Sequence, residues 1–439
     1  MKKILPYLIY LIIFLLSFFI TSKKESLFIL ILFIVYILYK YIFKLITPKY
    51  NYTNLPSKKN KPYFFLILPT IIAIISFFNN QNDLTTMKNI ITSIIYFLSS
   101  LIFLYPQNIK YFSKKNHIDN AFSLSCIKTI LLPTIDPKDT SKLLRVLHQA
   151  KINLIVTKDI KIPKKNKSSF KEIKYQELDL SKKQNIILFD EKLGTEQILQ
   201  ITKHKDIYYA KDENLATTIE KIRNSRGLID NLIKANNLNT ILSISLLLSI
   251  IFPTILGYPF SFNYLLVLSL LFIKDIFINC FAPYFRFDTD LMEREPRDSE
   301  NPLILKQDKL FLSISILLVN FATSIPFMAS LASGSSVSLA TTLSLISYLF
   351  CFIILAFQNV TERITIINFL TIYQDKRMLI STLIIILSMV TLSYLPFVST
   401  KPTILSNYLH CLLIAFVILV GQDLIKLARF TTIRKKDKK

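Results

Sequence analysis

Long apolar runs separated by lysine-rich polar stretches constrain this chain more than any other feature. The runs are about 17–22 residues long. At about 1.5 Å per residue each can cross a hydrocarbon core of about 30 Å. They predict about ten membrane-spanning helices, near residues 4–21, 26–46, 62–79, 89–106, 240–257, 262–283, 310–330, 338–358, 379–397 and 405–425. The first run follows Met1-Lys2-Lys3 but has no small-residue cleavage site after it, and a second run comes at once. It reads as a retained helix rather than a cleaved signal.

The formal net charge of +24 coexists with 52% apolar residues, which is possible only if grease and charge are kept apart along the chain. That segregation excludes a soluble enzyme, a secreted disulfide scaffold and a disordered chain. The four cysteines, Cys126, Cys280, Cys351 and Cys411, are scattered and form no C-x-x-C pair, so neither a structural zinc nor a disulfide framework is expected. The connections 47–61, 107–239, 284–309 and 359–378 and the tail Arg434–Lys439 are rich in Lys and Arg. Stretch 331–337 has none and 80–88 only Lys88. With Lys23, Lys24 and Lys401 as exceptions, this bias puts both termini in the cytoplasm of a prokaryote-like cell, the protein being integral to its cytoplasmic membrane. The basic excess then anchors helices and meets anionic inner-leaflet lipid. No stacking aromatics interleave with it, so no nucleic-acid partner is expected.

The expected fold class is a polytopic α-helical membrane protein with a small cytoplasmic α/β insert between the fourth and fifth spans. Residues 1–106 hold the first four spans, 107–239 the insert and a stalk, 240–430 six further spans, and 431–439 a basic cytoplasmic tail. In the insert, apolar runs at 152–156, 185–189 and 206–210 read as buried strands. A helical stretch at 140–150 precedes the first run and another at 195–202 follows the second, which argues for a parallel sheet. The Lys-rich stretch 158–183 reads as a long loop. From about Asn214 a helix with Leu215, Ile219, Ile222 and Leu228 on its apolar side reads as a stalk entering the fifth span.

Asp290-Leu291-Met292-Glu293-Arg294-Glu295-Pro296-Arg297 with Asn301-Pro302-Leu303-Ile304 resembles the loop after the sixth span of P-type ATPases, D-I-M-x-R-P-P-R…P-L-I. Glu213–Glu220 with Arg223–Asn231 is similar to that family's helix into the fifth span. Asp136-Pro137, Leu143–Leu147 and Ile152–Asp159 resemble its D-P-x-R…T-G-D stretch, and Lys114-Lys115-Asn116 its K-K-N. The resemblance implies a ten-span core and a HAD-like phosphorylation domain. On the register it suggests, Cys126–Leu131 falls on the phosphorylation motif D-K-T-G-T, with Ile127, Lys128 and Thr129 at its first three positions, so no carboxylate stands where phosphate would be accepted. T-G-D reads Thr157-Lys158-Asp159. The Mg-binding stretch keeps only Asp190, beside Glu191. The nucleotide-binding domain has no room before Asp136-Pro137, and the actuator is replaced by the connection 47–61.

The same register places the fourth-span P-E-G-L on Ile94-Ile95-Tyr96-Phe97, the fifth-span acid on Thr240, and N-x-x-T-D on Leu271–Asp275. Asp275 and Lys274, with Thr240 and with Asn279 one turn on, form the candidate ion path, because an intramembrane ionisable group is a functional candidate by default. His117, His148 and His204 lack metal spacing, and His410-Cys411 are helix neighbours that face different ways. No metal, cofactor or catalytic residue is expected. The expected function is a catalytically inactive pseudo-pump, a scaffold or regulatory subunit whose insert docks a protein partner. The alternatives are ATP-independent or partner-driven cation transport through the bundle, and a true cation-transporting ATPase.

Overall fold

The computed structural model describes residues 11–13, 15–16, 27–35, 37–38, 70–75, 92–98, 125–132, 140–156, 170–172, 186–188, 207–209, 215–281, 286–288, 290–296, 306–360, 375–395 and 398–436. The pieces that fall in the first four expected spans are helical; the rest of those spans, and the expected helix at 195–202, lie outside the described residues.

Among the described residues the insert has five short strands: β1 (Thr129–Leu132), β2 (Asn153–Val156), β3 (Phe170–Glu172), β4 (Ile186–Leu188) and β5 (Ile207–Tyr209). All pair in parallel, in the order β3-β2-β1-β4-β5. This is the order of a doubly wound sheet with the first strand at its centre. Thr129 stands opposite both Asn153 and Ile186. Parallel neighbours need a crossover, and helix α1 (Thr140–Gln149) supplies the one between β1 and β2. The chain leaves α1 through Lys151 in the left-handed region, φ 54°, while the Ile152 N–H bonds back to Leu147 O at 3.0 Å.

Two strands were not legible beforehand. β1 falls on the stretch aligned with the phosphorylation motif, and β3 lies inside the stretch expected to be loop. Among the described residues β3 is an edge strand, paired with β2, and its sequence Phe-Lys-Glu carries the charge that edges tolerate and buried-strand patterns lack.

The membrane part begins with α2 (Leu215–Ile255), which runs 41 residues without a break from the insert across the expected stalk boundary. α3 (Tyr264–Ile276) follows, capped by Asn263, whose side chain accepts from the Leu266 N–H. α3 passes into a π-turn at Phe277–Phe281. Then come α4 (Lys306–Ala332), α5 (Val337–Val360), α6 (Lys376–Tyr394) and α7 (Leu405–Lys436). Among the described residues five helices, α2 and α4 to α7, are long and apolar enough to cross a membrane. α3 is too short to count with them; with its π-turn it covers the described part of the expected 262–283 span, residues 282 and 283 lying outside the described residues. α7 stays helical through Lys436, into the stretch expected to be the basic tail.

α5 is the central helix, with 83% of its most apolar window buried against 33% for α6 and α7. Between lipid-bathed helices apolar burial gives little net drive, so contact relies on packing and hydrogen bonds. Tyr348 of α5 donates to Leu242 O of α2 at 2.9 Å, and Ser344 to Thr323 O of α4 at 3.0 Å. Gln358 donates to Leu419 O of α7 at 2.9 Å, and Lys426 returns a bond to Gln358 O at 2.7 Å.

Candidate functional site

Lys274 and Asp275 sit near the end of α3, 3% and 2% exposed, inside the largest apolar cluster of the bundle. A bare ammonium in such surroundings is costly. Here the Lys274 Nζ donates to Ser243 Oγ of α2 at 2.7 Å. Tyr348 closes one side by bonding to Leu242 O, the residue before Ser243, and the Phe277 ring lies 5.0 Å from that of Phe352.

Of the other expected path residues, Thr240 turns its hydroxyl back to Asn236 O on its own helix at 2.9 Å. It is therefore committed one turn away from the Lys274–Ser243 pair. Asn279 lies in the π-turn. Its side chain lies outside those the structure describes. The fourth-span positions 94–97 lie in an unbroken helical stretch, 92–98, with Ile95 fully buried and Tyr96 donating to Phe262 O at 3.1 Å.

In the insert, Ile127 is fully buried two residues before β1, Lys128 is exposed, and Thr129 opens the strand. Parallel sheets carry their chemistry at the carboxyl ends of strands. Ile127 stands at the amino end, so the register that put it at the attacking position is corrected: it is a core residue. Thr157, Asp159 and Asp190 lie outside the described residues. Among the described residues no group of three or more His, Cys, Asp or Glu is placed to hold a metal. His410 is exposed while Cys411 is 2% exposed and turned to Leu343 O, so the two point apart.

A second centre, which sequence reasoning did not assemble, joins α2 to the loop after α3. Arg294 reaches Asp288 at 2.7 Å, Asp290 at 2.8 Å and, more loosely, Asp230 of α2 at 3.5 Å. Lys234 bridges Asp230 at 2.7 Å and Asp288 at 2.9 Å and also reaches Val360 O at the end of α5, at 3.4 Å. Burial would raise the Asp288 carboxyl, but the Lys234 and Arg294 cations outweigh it and hold the group below its ordinary range. Arg226, 7% exposed, donates to Arg294 O at 3.1 Å and to Ala150 O behind α1 at 3.4 Å. Phe287 lies directly over Gly227. One signal in the sequence pointed here: Asp230 and Lys234 are an acid–base pair one helical turn apart.

The carboxyl ends of α3 and α5, the start of α2 and the insert thus meet at one end of the bundle. Residues 259–428, from the approach to α3 into α7, match the family model "Cation transporting ATPase, C-terminus". The comparison with curated proteins finds no match. The match supports a P-type cation ATPase C-terminal region for α3 to α7 and relates this membrane protein to the P-type ATPases.

Proposed function

We propose that this protein is a P-type ATPase relative that no longer runs a phosphorylation cycle. In it Lys274 stands as a resident cation where a pump would admit a mobile one. The observation that carries this reading is the Lys274 ammonium bonded to Ser243 beside Asp275 in the buried core. A tethered cation cannot leave, so it balances local negative charge without being transported. Two sequence facts support the reading. No D-K-T-G segment occurs in the chain, and only three residues separate the end of β1 from Asp136, which leaves no space there for a nucleotide-binding domain. The parallel sheet order is compatible with a reduced HAD-like domain. On this reading the insert is a docking element for a protein partner on the cytoplasmic side, and the chain is a scaffold or regulatory subunit.

A second reading, cation movement without ATP, is favoured by the π-turn that begins two residues after Asp275, since such turns recur at functional sites. Tracer flux into vesicles carrying the full chain separates the two. The resident-cation reading expects the same sodium and rubidium flux as empty vesicles, with or without ATP. ATP-independent flux abolished by Asp275→Asn establishes the second reading and ends the first.

A further inference from the structure

One carboxylate holds the start of α6 against the loop after α3. Asp375, the residue before the helix, accepts from the Arg377 N–H at 2.9 Å and from the Arg286 N–H at 2.8 Å. Asp375 and Arg286 are 89 positions apart in the chain, and this bond brings Arg286 to Lys376 and Arg377. All three of these basic side chains are exposed. The described acids nearest them in the chain are committed elsewhere. Asp375 is spent on the two N–H groups, and Asp288, two residues from Arg286, on Lys234 and Arg294.

The cations stand at the head of an exposed apolar stripe. The span that begins at Lys376 is only 33% buried in its most apolar window. Met378, Ser381 and Ile385 face inward. Ile380, Leu383 and Leu387 are exposed, and they follow Lys376 at steps of four, three and four residues, which keeps all four on one face of the helix. From Lys376 to Leu387 the helix rises about 17 Å, close to the depth of one leaflet.

We propose that the start of α6, together with Arg286, binds the headgroup of an anionic phospholipid whose acyl chains lie along Ile380, Leu383 and Leu387. Charge selects the headgroup. Three cations against the single Asp375 carboxylate leave the cluster positive, and guanidinium groups match phosphate oxygens in shape as well as sign. A zwitterionic headgroup offers the same phosphate but brings its own cation, which these side chains repel. The stripe selects a lipid over a water-borne anion, because only a lipid has chains to cover it.

The test uses the full chain in phosphatidylcholine nanodiscs with spin-labelled phosphatidylglycerol, and spin-labelled phosphatidylcholine as reference. Phosphatidylglycerol should be held preferentially. Each basic residue near an anionic surface is worth about a fivefold preference, so Lys376→Gln should lower the preference about fivefold. Arg286→Gln should lower it by a similar factor from a distant part of the chain, and the triple variant with Arg377→Gln should abolish it. Lys376→Arg should keep it. Lys309→Gln, which removes an exposed cation near the start of α4, should change it less than twofold. Excess inorganic phosphate should not displace the lipid. Equal retention of both lipids, a preference unchanged in the triple variant, a loss in Lys309→Gln as large as in Lys376→Gln, or displacement by phosphate overturns the proposal.

Discussion

A methyl group at residue 227 would meet the Phe287 ring at 2.5 Å. The ring belongs to the loop that carries Asp288 and Arg294, so Gly227 is the point where α2 lets that loop lie flat. Gly227→Ala should lower stability by about 1–3 kcal/mol through overpacking. Combined with Phe287→Ala the loss should be smaller than the sum of the single variants, because the clash has gone; thermal unfolding of the four proteins gives the cycle. Ser243→Ala removes the hydroxyl that accepts from Lys274. Leaving a buried charged donor short of an acceptor should cost about 1–3 kcal/mol, read as a lowered Tm, and an unchanged Tm would show that the bond is not made. Single residues were legible in the sequence where their chemistry was improbable. Lys274 and Asp275 stood out as charges in an apolar run. Ile127 was misplaced because a motif register carries no information about where a strand begins.

Between elements, the carboxylates of Asp230, Asp288 and Asp290 gather around Arg294 and Lys234. The sequence could show the i,i+4 pair at 230 and 234, but not that a loop residue 64 positions away would close on it. Asp288 is held below its ordinary range in the folded protein, so it releases its proton more readily folded than unfolded. Its contribution to stability is present above the unfolded carboxyl value of about 4 and is lost as pH falls through the folded value. Acid unfolding followed by helical signal should therefore weaken the protein in that window, and Asp288→Asn should flatten the acid limb while lowering stability at neutral pH. An acid limb identical in the two proteins would remove Asp288 from the coupling. The helices at 310–330, 338–358 and 405–425 were legible because twenty apolar residues have few other uses. β3 was not, since three residues carry too little pattern, and the π-turn was not, since apolar periodicity does not distinguish it from a helix.

For the whole molecule, the order insert, stalk helix and C-terminal bundle could be read from hydropathy alone. Its relation to the P-type ATPases came from short residue matches, and the family model meets it over 259–428. What the molecule does with that architecture turns on whether a carboxylate in the insert can accept phosphate. The direct measurement is acid-stable labelling of the purified full-length chain with ATP carrying a labelled γ-phosphate, in sodium, potassium, calcium and magnesium media, with Asp136→Asn and Asp190→Asn beside it. The account predicts no stable label on any of the three proteins in any medium. A label on the parent chain that disappears in either variant would contradict it, and would make the protein a working phosphoenzyme.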